Sequence, residues 1–243
     1  MTPLLATARR VLAQLRHDPR TIALMLLVPC LLLALLRWLY AGNAPMFDRI
    51  GGPLLGIFPF VVMFLVTSVA TLRERSSGTL ERLLTLPIRK FDLIGGYGLA
   101  FGLMAVLQAL LATGLSLGLL GLDIAGSTWL LLLVAVLDAL LGLALGLLVS
   151  AFADTEFQAV QFMPAVVLPQ FLLCGLFVPR DDMQPALRVI SDVLPLSYAV
   201  DAMNQLTTSS HVGGDFVVDI AVVAGSAAAA LVLGSMTLRR RTA

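Results

Sequence analysis

Glu74-Arg75-Ser76-Ser77-Gly78-Thr79-Leu80-Glu81-Arg82-Leu83-Leu84-Thr85-Leu86-Pro87-Ile88-Arg89-Lys90 is the only sizeable charged island between long apolar runs. Within it Leu80, Leu83 and Leu84 fall at the i, i+3, i+4 spacing of one helical face, with Glu81 and Arg82 pointing elsewhere. Ser76, Ser77 and Gly78 supply turn or cap chemistry before that helix, and Pro87 stops it. A loop that only joined two membrane helices would need no apolar stripe. The stretch predicts a short helix over 76–87 that presses against something outside the membrane.

The 243 residues around it are 59% hydrophobic and 13% charged, against about 25% charged in an ordinary soluble domain. The composition predicts an all-α integral membrane protein. Its first apolar run follows a basic segment, continues at spanning length and ends without a small-residue cleavage site, unlike a secretory signal. The net charge of +1 gives no reason to expect nucleic acid. Cys30 and Cys174 both fall in apolar runs, and His17 and His211 are far apart, so neither a disulfide framework nor a metal site is expected.

In chain order, residues 1–20 read as a basic amphipathic helix lying in the membrane interface. Leu4, Leu5, Ala8, Val11, Leu12 and Leu15 share one face, and Asp18-Pro19 ends it. Six spans follow, at about 21–40, 53–72, 93–121, 128–152, 157–178 and 216–238, all long enough for the ~20 residues that cross a hydrocarbon core, with 93–121 longer than a membrane requires and so expected to tilt or project. Loop 73–92 holds the charged island. Residues 179–215 are too apolar for a free loop, and Pro185 and Pro195 divide them into two helical pieces of a re-entrant outer hairpin. Irregular backbone at membrane depth requires protein or a cavity around it. One domain, 1–243, is expected.

Charge fixes the predicted orientation. Arg9, Arg10, Arg16, Arg20, Arg73, Arg75, Arg82, Arg89, Lys90 and Arg239 to Arg241 fall on one side of a six-span layout. The other side holds Arg49, Arg180 and Arg188, with Arg37 able to snorkel at the end of span one. By the positive-inside rule the termini and the island are cytoplasmic in a plasma-membrane protein.

Ionisable and amide side chains inside spans are the candidates for chemistry. Asp138, mid-span, costs on the order of 2.5–3.5 kcal/mol as an isolated carboxylate there. It serves either as an interhelical hydrogen-bonding group or in handling a proton or substrate. Gln108 and Gln161 are weaker cases of the same kind, and Asp201, Asp215 and Asp219 read as solvated at the outer surface. Gly95, Gly98, Gly102, Gly142 and Gly146 mark close helix packing. There is no P-loop, HExxH, GxSxG or Cys/His cluster, so the chain is not expected to be an enzyme or to bind nucleotide itself.

Two stretches in this order resemble the membrane subunit of a type-2 ABC exporter, of the drug-resistance and polysaccharide-export permease family. One is Arg73-Glu74-Arg75 with Ser77-Gly78-Thr79-Leu80-Glu81 and Leu84-Thr85-Leu86-Pro87. The other is Leu173-Cys174-Gly175-Leu176-Phe177-Val178-Pro179, then Met183-Gln184-Pro185-Ala186-Leu187 and Leu194-Pro195-Leu196-Ser197-Tyr198. Cys174 stands where Ser is common, and Met183 and Pro185 are one residue further apart than usual. The resemblance implies a coupling helix at 76–87 docking on an ATPase through Glu74, Thr79, Leu80, Glu81, Arg82, Leu83, Leu84 and Arg89. It also implies re-entrant outer helices built around Gly175, Pro179, Pro185, Pro195 and Tyr198.

The implied function is a permease forming half of an export pathway for a lipophilic drug, lipid or lipid-linked glycan. The implied partners are two copies of a cytoplasmic ABC ATPase carrying ATP and Mg, a second permease chain (identical or paralogous) and membrane lipid. The alternative is a secondary transporter driven by an ion gradient through Asp138, which would leave the amphipathic island without a task. A membrane scaffold would leave the outer hairpin without one.

Overall fold

The structure is a computed structural model that describes residues 2–76 and 90–237, with side chains except at positions 75, 76, 90 and 91. All regular elements among them are helical. They are α1 (Pro3–Arg16), α2 (Pro19–Leu39), α3 (Ala44–Ser76), α4 (Lys90–Gly118), α5 (Thr128–Ser150) and α6 (Glu156–Leu173). A 3-10 turn at Arg180–Asp182 precedes α7 (Pro185–Val193), α8 (Pro195–Thr208) and α9 (Gly214–Thr237).

Among the described residues five helices are long and apolar enough to cross a membrane: α2, residues 44–74 of α3, 92–118 of α4, α5 and α9. The sixth expected span corresponds to α6. It has 18 residues and carries Glu156, Gln158, Gln161, Gln170, Pro164 and Pro169, which sets it below the others in apolarity. One boundary moves substantially. Residues 44–52, expected as part of a loop, are the first turns of α3, which starts at Ala44 and carries Pro53 and Pro59 inside it. Its 33 residues give a rod about 50 Å long, more than the ~30 Å of a hydrocarbon core.

The bundle is built around the pair α3 and α5, which share the most extensive contact. Two glycines permit it. A Cβ at Gly142 would collide with the Phe60 backbone, and one at Gly146 would sit 2.5 Å from the Phe64 carbonyl oxygen. Without them the two backbones meet, and the Thr67 hydroxyl lies 2.6 Å from the Met63 carbonyl and 3.3 Å from the Leu143 carbonyl on α5. Small residues at a contact let membrane helices gain dispersion energy over their full length. Phe60, Phe64, Leu55, Ile57, Leu131 and Leu141 form the buried core beside this seam. Helices α2, α4, α6 and α9 surround it.

The amphipathic leader is a helix, but it packs on protein. Thr7, Ala8, Val11 and Leu15 are its buried positions, while Leu5, expected on the same face, is 47% exposed. The receiving surface is the start of α4. A Cβ at Gly96 would lie 2.5 Å from the Thr7 Cβ and 3.0 Å from the Leu4 carbonyl oxygen. Asp18 then caps α2, accepting hydrogen bonds from the Thr21 amide (3.2 Å) and hydroxyl (2.6 Å).

We predict that Gly142→Ala and Gly146→Ala each lower stability by about 1–3 kcal/mol through overpacking, whereas Gly114→Ala, whose Cβ meets open space, is neutral or stabilising. Thermal unfolding of the three purified variants checks this; equal melting points would contradict the seam.

Candidate functional site

Three polar constellations stand out against the apolar bundle, one at each end and one between. At the α1 end, Arg10 donates to Glu74 Oε2 at 2.7 Å and to the Tyr97 hydroxyl at 2.8 Å. Its guanidinium lies 5.9 Å from the Tyr97 ring centroid, and the Tyr97 hydroxyl in turn donates to Glu74. One residue from each of α1, α3 and α4 therefore meets at a single point. The Glu74 side chain is only 13% exposed, turned into the protein rather than outward. Arg73, one position earlier, reaches the other way and makes a two-pronged contact with Glu156 at the start of α6, 3.0 and 3.1 Å. Both partners are largely exposed, so that pair orients more than it stabilises.

Glu74, the first residue of the charged island, is thus the acidic residue of that island whose side chain the structure describes. Thr79, Leu80, Glu81, Arg82, Leu83, Leu84 and Arg89, the other residues assigned to docking, lie outside the described residues. Arg10 and Tyr97 were not singled out in the sequence. A long-range ion pair leaves no periodic trace, although Arg10 on the polar face of α1 and Glu74 at the end of α3 are each legible as positions.

Within the bundle, the prolines create a need that Gln108 meets. Pro29 of α2 has no N–H, so the Met25 carbonyl one turn earlier loses its helical donor. The Gln108 amide on α4 donates to that carbonyl at 2.6 Å, with the whole side chain buried. Gln108 therefore fastens α2 to α4. Asp138 on α5 is also buried. Its Oδ2 sits where Gly56 of α3 leaves room, 2.8 Å from the position a Cβ would take, with the Met203 methyl from α8 on the same spot. Asp138 Oδ1 has no hydrogen-bond partner among the described residues. Gln161 differs from both: it lies on an exposed face of α6, together with Phe157, Pro164 and Leu168.

At the opposite end the chain turns at Gly175, whose φ of +92° suits glycine. The space beside it is taken by Arg180 Cγ at 3.5 Å and Asp201 Oδ1 at 3.6 Å. Arg180 pairs with Asp192 and with Asp201 at 2.5 Å, and stacks 4.7 Å above the Tyr198 ring. The Tyr198 hydroxyl donates to the Asp192 carbonyl at 2.8 Å. Pro179 starts the 3-10 turn, and Pro185 and Pro195 open α7 and α8, where a missing N–H costs nothing. The two helical pieces expected in 179–215 are present, and one arginine gathers their ends. Burial raises the Asp201 carboxyl above its ordinary value, against the pull of Arg180.

Two carboxylates expected in solvent are not there. Asp219 is 6% exposed and accepts from Gln205 at 2.9 Å, joining α9 to α8. Asp201 is held by Arg180 as described. A polar cavity of about 640 Å³ opens beside them, with Arg49, Asn204 and Asp215 on its wall. No group of His, Cys, Asp and Glu among the described residues is placed to hold a metal ion.

Residues 2–207 match the ABC-2 type transporter family. The chain belongs to that family. It is 28% identical over 182 residues to a probable multidrug ABC transporter permease, YbhS, of Escherichia coli K12, covering 74% of this chain and 48% of that protein. An inner membrane transport permease of the same organism, YhhJ, is 30% identical over 145 residues, 58% of this chain and 38% of the relative. ABC transporter G family member 20 of Dictyostelium discoideum is 24% identical over 164 residues, 68% and 22% respectively. The chain spans about half the length, or less, of these relatives. Family membership and the five apolar helices make it a multi-pass membrane protein.

Gln108→Leu is predicted to cost about 1–3 kcal/mol, since it leaves a buried carbonyl unpaired. In a Pro29→Ala background the restored N–H serves Met25, and the same change costs less than about 1 kcal/mol. A double-mutant cycle on thermal stability measures the difference; additive effects would refute the assignment of Gln108 to Met25.

Proposed function

We propose that this chain is the transmembrane permease subunit of an ATP-driven exporter, contributing half of a translocation pathway for a lipophilic substrate. Family membership supports the class, and the observation that carries the pathway is the exposed face of α6. A glutamine amid apolar residues on an outward face of a membrane helix is costly against lipid. It is accounted for if Gln161, with Phe157, Pro164 and Leu168, faces a second permease chain across an aqueous or substrate-lined seam. Glycans and lipids remain within the same substrate class as drugs, because the exposed α6 face offers no dedicated charge to choose among them.

ATP binding falls to a separate cytoplasmic ATPase, present in two copies and carrying the Mg ion, because no phosphate-cradling loop exists in these residues. The α1 end is the cytoplasmic end in this reading, and residues 76–87 form the docking helix. Leu80, Leu83 and Leu84 fill an apolar groove on the ATPase while Thr79, Glu81, Arg82 and Arg89 set the register at its rim. Glu74 contributes from the inside. Through Arg10 and Tyr97 it makes the base of α3, the leader helix and the start of α4 one unit. A push on the docking helix then moves all three together as a rigid body.

Leu83→Asp in this proposal abolishes substrate-stimulated ATP hydrolysis by the assembled transporter while the permease still inserts and melts normally. Wild-type stimulation in that variant would overturn the docking role. Asp138→Asn is expected to leave transport near wild type, since the carboxyl is walled in by Gly56 and Met203. Complete loss of transport with assembly intact would favour a gradient-driven mechanism through Asp138.

A further inference from the structure

Helix α1 does not close flat on the bundle. Between α1, α2, α3 and α4 lies a cavity of about 370 Å³, at the lower end of the ~300–1,000 Å³ of small-molecule sites. Val11, Leu15, Val66, Val69, Ala70 and Phe101 line it. Water gains little among such walls, and an empty hole would forfeit dispersion contacts along each of them. The charges at its rim are matched within the protein. Arg73 pairs with Glu156, and Glu74 with Arg10. Asp18 accepts from Thr21, and the Arg20 backbone and the Arg73 guanidinium act on it as well. Nothing at the rim calls for a charged ligand, so the apolar interior sets the chemistry: an uncharged aliphatic group. The exposed part of the lining shows where that group comes from. Leu24 of α2 and Val160 of α6 belong to it, 57% and 45% exposed, so the cavity opens past apolar residues of a membrane span. Gln14 and Thr21 also line it, at the joint where the amphipathic helix meets that span. Apolar groups followed by uncharged polar ones are the order a lipid presents at the membrane interface.

We propose that one acyl chain of a bilayer phospholipid occupies this cavity, entering past Leu24, with its ester region beside Gln14 and Thr21. The small volume admits a single chain, and the second stays in the leaflet. The bound chain completes the packing that α1 leaves open, so the leader helix is seated on α3 and α4 partly through lipid. This goes beyond the exporter reading and does not rest on it.

The test uses the full chain in phosphatidylcholine nanodiscs doped with a phosphatidylcholine that carries a diazirine midway along one acyl chain. Cross-links mapped by mass spectrometry are expected at Val11 and Leu15 on the inward face of α1, in addition to the exposed Leu27 and Leu31 of α2. They are expected to be absent from Leu55, Phe60 and Phe64, which are buried but do not line the cavity. Val69→Phe, which fills the cavity, is expected to reduce labelling of Val11 and Leu15 to background while Leu27 and Leu31 stay labelled. Should that variant melt lower than wild type, the wild-type pattern decides by itself. Labels confined to Leu27, Leu31 and other exposed residues would overturn the proposal, as would undiminished labelling of Val11 and Leu15 in Val69→Phe at an unchanged melting point. Labelling of Val11 and Leu15 by a small uncharged adamantyl diazirine, but not by the lipid probe, would also overturn it, making the cavity a site for free lipophiles. No nucleotide or ATPase is present, so failure here leaves the exporter reading standing, and a permease without an ATPase partner would leave this binding result standing.

Discussion

In an apolar slab no water satisfies a polar group, so every carbonyl, amide and charge within it must find its partner in the protein. That constraint shapes this chain more than any single contact. It is why Gln108 of α4 sits against the carbonyl that Pro29 strips of its donor, and why Asp219 is joined to Gln205. It also explains the gathering of Arg180, Asp192, Asp201 and Tyr198 around a left-handed glycine at one end, and of Arg10, Glu74 and Tyr97 at the other. Hydrophobicity places the helices in the membrane; it does not tell one helix from another. The polar ties and the glycine seam between α3 and α5 select this arrangement from the many that would bury the same leucines.

The two ends are tied in different ways. At the Gly175 end a single guanidinium draws α7 and α8 together beside the end of α6, so those short pieces share one anchor. At the α1 end the ties are divided: Glu74 holds α3 to α1 and α4, while Arg73 holds it to α6. Neighbouring residues on one helix thus link it to opposite sides of the bundle. In the proposed exporter this is the place where a displacement arriving through residues 76–87 is shared between the leader helix and the pathway helix. Asp138 Oδ1 is one of several buried side-chain atoms without a hydrogen-bond partner among the described residues, Gln108 Oε1 and Gln170 Oε1 among the others, and Gly56 is the residue that makes room for the Asp138 carboxyl.

Much of the architecture was legible from residues whose chemistry acts locally. Apolar runs of spanning length gave five of the helices nearly to their ends, and Pro185 and Pro195 gave the division of the hairpin. The start of α3 was missed because Gly51, Gly52 and Pro53 suggest a boundary. Pro53 lies well inside α3 all the same, where it removes one helical hydrogen bond, and the helix continues through it. What could not be read was the identity of partners far apart in sequence. Arg10 and Glu74 are separated by 64 positions and Gln108 and Met25 by 83, and nothing in either local stretch names the other. The surface assignment of Asp219 failed for the same reason: its burial depends on α8 folding back against α9.

The most direct test of the exporter assignment is recovery of the chain from its native host. A tagged copy, extracted gently, should bring with it a nucleotide-binding chain in a one-to-one ratio, with hydrolysis of ATP that vanadate inhibits. A permease that purifies without any ATPase, yet still moves substrate down or against an ion gradient, would contradict it.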